Sequence, residues 1–133
     1  MKIVQGWPPN WQDIKRKFNP AETVCFTYGD TLYNPAGGYL GEVFMTHEQT
    51  HSTQQAQDPK GWWKKYIEDP IFRVDQETQA YHNQYEAFMR VEKDRNKRAV
   101  FLYKLAVDLS GPLYDNVIDH GTAFDNIKNY PNL

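Results

Sequence analysis

The sequence lacks most of the features that would declare a compartment or a scaffold. Its 133 residues hold one cysteine, Cys25, which excludes an internal disulfide framework and a zinc cluster built from cysteines. No run approaches the roughly 18 apolar residues of a membrane span, and "MKIVQGWPPNW" has no apolar core of the kind a secretory signal needs. These absences lead to the expectation of a soluble, cytoplasmic protein with no membrane partner. Neither sign of charge dominates, with 15 basic and 17 acidic residues and a net charge of -2, so nothing favours binding to nucleic acid or an anionic membrane. Repeats, low-complexity tracts and linker-like stretches are missing too. A chain of this length has room for one core, and residues 1–133 are read as a single domain.

Aromatic residues are plentiful: four Trp, nine Tyr and seven Phe can fill a core despite a hydrophilic average. Residues 2–4 read as a short strand, and Asn10 as the cap of a short helix ending near Phe18. In "TVCFTYGDTLYNP" the β-branched and aromatic residues flank Gly29-Asp30, the pattern of two short strands and a tight turn, with Cys25 expected to be buried. Helical periodicity follows from Tyr39 to about Gln57, where Leu40, Val43 and Phe44 begin an inward stripe. Asp58-Pro59 and Asp69-Pro70 each offer a capping carboxylate followed by a residue that needs no amide partner. They open the segment "KGWWKKYIE" and a longer helix running to about Asn96. Ala99 to Leu109, stopped by Ser110-Gly111-Pro112, and roughly Leu113 to Lys128 complete an α+β chain that is predominantly helical.

The chemistry concentrates in "MTHEQTHSTQQ". Helix positions four apart share a face, so His47 and His51 can turn both rings toward one ion while Glu48 lies beside them. That is the arrangement an H-E-x-x-H metal site requires: two imidazole ligands and a carboxylate placed to act on a metal-bound water. The histidines continue the stripe of Leu40, Val43 and Phe44, and an inward polar ring needs a partner. Composition alone would produce the pattern in on the order of one such chain in a hundred or fewer. A catalytic zinc site usually takes three protein ligands and one open position. In the helix after Asp69-Pro70, Glu77 is the charged interruption of the stripe Val74, Tyr81, Gln84, Phe88 and Val91, and it is the third ligand expected here. Ala80 keeps the next turn thin enough for close packing.

"HEQTH" and "ETQA" together resemble the two-part motif of gluzincin-type zinc metallopeptidases. More narrowly, "HEQTHSTQQ" with "GWWKKYIEDPIFRVDQETQAY" resembles small uncharacterised zincin-like proteins of bacteriophage and prophage genomes, over about residues 22 to 90. The resemblance implies a minimal zincin-like domain with a short β-hairpin packed on the HExxH helix, and a host cytoplasm if the chain is phage-encoded. It implies Zn²⁺ on His47, His51 and Glu77, Glu48 as general base and acid, and a peptide or protein substrate. That substrate would lie along an edge strand, "TVCFTYG" or "TLYNP". Where many gluzincins carry an Asp one turn after the Glu ligand, this chain has Tyr81. Tyr81, with His82, Tyr85 and Tyr66, is a candidate to stabilise the oxyanion.

Two competing readings remain at this level. A zinc-binding module without catalytic activity could act through protein-protein contacts, in which case a fourth protein donor would complete the site. A metal-free reading makes "GWWKKY" a surface for a partner protein or single-stranded nucleic acid, against the simpler expectation that its indoles pack in the core. His82 and His120 are read as packing or surface histidines.

Overall fold

Each strand of the small sheet is three residues long, and every helix start after the first is marked by a carboxylate that binds free amides or by an extended glycine. The computed structural model describes residues 1–132, and the chain divides into two compact units, Met1–Glu68 and Asp69–Leu133. The architecture is α+β and predominantly helical.

The first unit runs β1 (Lys2–Val4), α1 (Trp11–Phe18), β2 (Phe26–Tyr28), β3 (Thr31–Tyr33), α2 (Glu42–Gln55) and α3 (Pro59–Glu68). The expected hairpin forms, with Gly29 at φ 63 in the turn, a conformation that costs glycine little. The sheet order is β1-β3-β2, with β1 parallel and β2 antiparallel to β3. Residues 2–4 therefore join the hairpin rather than stand apart from it. "TLYNP" lies on the central strand, which corrects the expectation that it could serve as an edge. Asn10 does precede α1, but its backbone (φ -98, ψ 24) is not that of a capping residue and its side chain makes no cap bond.

Two boundaries of α2 differ from the expectation. It begins at Glu42, after an extended Gly41 (φ -73, ψ 157), and it stops at Gln55 because Ala56 turns to φ 50, ψ -118. The inward face of α2 is polar: His47, Glu48, Thr50, His51 and Gln55 are buried, while Leu40, Val43 and Phe44 are only partly so. In α3 the Asp58 carboxylate accepts the Gly61 amide proton at 2.9 Å, so close that a Cβ at position 61 would collide with it. Trp62, Trp63 and Tyr66 are buried, as the indole-in-core reading of "GWWKKY" requires.

The second unit comprises α4 (Pro70–Val91), α5 (Arg95–Leu109), a 3-10 turn (Pro112–Tyr114) and α6 (His120–Asn129). Asp69 caps α4 through the amides of Ile71 and Phe72, at 3.0 and 3.2 Å. The helix ends at Val91 rather than near Asn96, because Asp94 accepts the Lys97 amide at 2.9 Å and starts α5. Arg98 then donates to the Met89 and Glu92 carbonyls. The single helix expected over Leu113 to Lys128 is interrupted where Asp115 and Asn116 take φ 56 and φ 50. α6 starts again under the Asp119 carboxylate, 2.8 Å from the Thr122 amide. Val74, Tyr81, Tyr85, Leu102, Leu105 and Ile127 belong to the core of this unit. Val91 is 72% exposed, so the inward stripe of α4 ends before it. Arg73 is fully buried and meets the Asp115 carboxylate at 3.1 Å. Among the described residues no helix is long and apolar enough to cross a membrane.

Candidate metal centre

The four-residue spacing of His47 and His51 on α2 brings their Nε2 atoms to 3.1 Å and their ring centroids to 4.8 Å. The Nδ1 of His51 lies 2.8 Å from Oε1 of Gln54. An amide oxygen only accepts, so the proton of this contact lies on Nδ1, and a ring in its neutral form would carry its lone pair at Nε2. Metal-ligating histidines are commonly oriented in this way, by a partner on the nitrogen away from the ion. Trp62 packs against the His51 ring with centroids 5.4 Å apart and helps to fix its plane.

Glu48 is buried, and its Oε2 accepts the Thr27 hydroxyl at 2.7 Å. Thr27 reaches it because α2 is stitched to the hairpin along one helical row. Ser52 donates to the Gly29 carbonyl at 2.7 Å, and Gln55 both accepts the Gly29 amide proton and donates to the Thr27 carbonyl, each at 2.7 Å. Trp63 donates to the same Thr27 carbonyl at 3.0 Å. Thr27 pairs with Leu32 in the middle of a two-residue hairpin, so its backbone polar groups point away from β3. The one carbonyl that β2 turns to its free side thus already holds two donors. Thr27, Ser52 and Gln55 were missed as site-building residues. The spacing of Glu48, Ser52 and Gln55 at four and three residues was the available signal, but their partner on β2 follows only from the packing.

Cys25, expected to be buried, is half-buried, because it precedes β2 rather than lying in it. Its thiol is pushed up to about 11, first by desolvation and then by the charge of Glu48.

Glu77 and Tyr81 belong to the second unit. Glu77 is 5% exposed, on the same face of α4 as buried Val74 and Tyr81, and Ala80 is fully buried. The Tyr81 hydroxyl lies 3.3 Å from that of Tyr114, with the rings edge to face. Of the other oxyanion candidates, Tyr66 stacks on Trp62 at 4.9 Å and Tyr85 is part of the second unit's core. His82 lies between the Ile127 carbonyl at 2.7 Å and Glu86 at 3.0 Å. His120 packs on Tyr103 at 4.5 Å. Both are packing histidines, as expected.

No protein-family profile matches the chain, and no curated protein or solved structure shows a recognisable similarity to it.

Proposed function

We propose that His47, His51 and Glu77, all buried and each offering one ligand atom, hold a divalent zinc ion, and that the chain hydrolyses peptide bonds with Glu48 as its base. The observation that carries this reading is the imidazole pair: two Nε2 atoms 3.1 Å apart, one with its tautomer set by Gln54. Two imidazoles and a carboxylate are a common donor set for catalytic zinc, with a fourth position left for water. When bound, zinc supplies a Lewis acid that lowers the pKa of a water to about 7.

Glu48 adjoins the pair in sequence and is held by Thr27. It takes the proton as the water oxygen bonds to the peptide carbon, then gives that proton to the departing amine as the carbon-nitrogen bond breaks. One hydrogen-bonded oxygen fixes the carboxylate, and the other remains for the exchange. Metal content per chain tests the ligand set: about one zinc in the wild type and in Glu48→Gln, and well below one in His51→Ala and Glu77→Ala. On a peptide library Glu48→Gln should lose at least roughly a hundredfold in turnover. Cleavage by that variant at the wild-type rate would remove Glu48 from its role.

A second reading draws support from the Thr27 carbonyl, which is already occupied on the free side of β2. On this reading the chain binds zinc without efficient proteolysis and works through a protein partner. Stoichiometric zinc with no cleavage of any library member, in the wild type as in Glu48→Gln, would favour it.

A further inference from the structure

The first unit also carries a groove of about 760 Å³, bordered by α1, α3 and Tyr28 of β2. Its volume falls in the range of built ligand sites. Tyr28 and Ile67, both partly exposed, are its open apolar residues, and the exposed Lys17, Lys60 and Lys64 also line it. Arg16 also borders it but is engaged by Asp13 at 3.4 Å. Lys17, Lys60 and Lys64 make no ion pair among the described residues, and Glu68 is the one remaining acid in the lining. The groove is therefore locally cationic on a chain whose net charge is -2.

A second observation comes from Asn10, which lines the same groove. Both polar atoms of its carboxamide are buried and have no hydrogen-bond partner. An amide left in that state destabilises the fold. That cost is relieved when the side chain turns to a group that both accepts and donates, as a peptide unit does.

The geometry points to a binding site for an acidic peptide segment carrying a bulky apolar side chain. Carboxylates answer the lysines, the apolar side chain lies against the partly exposed Tyr28 and Ile67, and a backbone amide answers Asn10 once its side chain turns out of its buried position. Single-stranded nucleic acid fits less well, because stacking needs an open ring face and Trp63 is 7% exposed. The site is independent of the metal reading, and its test runs with the full chain in excess EDTA.

The probe is a fluorescein-labelled peptide, Glu-Glu-Tyr-Glu-Glu, followed by fluorescence anisotropy. Saturable binding is expected, weakening by about tenfold in the double variant Lys60→Glu/Lys64→Glu and falling as salt rises. Asn10→Ala weakens it further, and the counterpart Lys-Lys-Tyr-Lys-Lys does not saturate. Both lysines are exposed, and circular dichroism checks that the variants fold. No saturable binding of the acidic peptide, equal affinity in the double variant, or tighter binding of a single-stranded oligothymidine would each overturn the proposal.

Discussion

At the scale of single residues, the chemistry of the candidate centre depends on side chains that hold other side chains. Gln54 sets the tautomer of His51, and Thr27 ties one oxygen of Glu48. Thr27→Val keeps the shape and removes the donor, leaving a buried carboxylate oxygen short of a partner. The expected cost is about 2 kcal/mol, read as a lower urea midpoint at unchanged slope; an unchanged midpoint would mean that the Thr27 bond contributes nothing net. The histidine pair and its neighbouring carboxylate were legible in the sequence because a helix places residues four apart on one face whatever surrounds it. Glu77 could be singled out as a charge inside an apolar stripe, and it is buried. Thr27 could not be found that way, since its meeting with Glu48 joins two elements whose packing no local pattern states.

At the scale of elements, legibility followed the capping chemistry. Asp58-Pro59 and Asp69-Pro70 begin helices as read, and their carboxylates bind the amides expected of them. Asp94 performs the same task inside "EKDRNK" without a proline to mark it, so one long helix was expected where two form. The end of α2 was hidden for a different reason. Ala56 adopts φ 50, ψ -118, a backbone region that favours glycine and that costs other residues about 1–3 kcal/mol. Ala56→Gly should therefore stabilise the protein by about 1 kcal/mol after its greater unfolded-state entropy is counted, and a lower thermal midpoint would refute the assignment of strain.

The cap of α6 gives a pH dependence. The Thr122 amide holds the Asp119 carboxyl below its ordinary 3.8. A carboxyl depressed in the folded state stabilises it fully above its unfolded value, and that contribution disappears as pH falls through the lowered one. Asp119→Ala should thus be less stable than the wild type at neutral pH, with the gap in urea midpoint closing under acid conditions. A gap that stayed constant into strong acid would show that the carboxylate is not its source.

At the scale of the whole molecule, the ligand set proposed for zinc draws on residues far apart in sequence, so the ion would bind the folded chain and not the unfolded one. Free zinc at about a hundred times its Kd should then add about 2.7 kcal/mol to the unfolding free energy. Thermal unfolding with and without zinc reads this as a higher midpoint, which EDTA reverses and Glu77→Ala abolishes. An equal rise in that variant would place the ion elsewhere. The α+β, mainly helical character was legible from the hydrophobic periods alone. The membership of β1 in the sheet was not, because a three-residue parallel pairing leaves no turn signature between its partners.

The doubly occupied Thr27 carbonyl reaches beyond the hairpin. A polypeptide cannot zip onto β2 as a fourth strand while Gln55 and Trp63 hold that oxygen. A chain brought beside β2 would gain no ladder bond from that carbonyl. The same two donors deny this flank of the sheet to strands of neighbouring copies, a guard against edge-to-edge association on the β2 side.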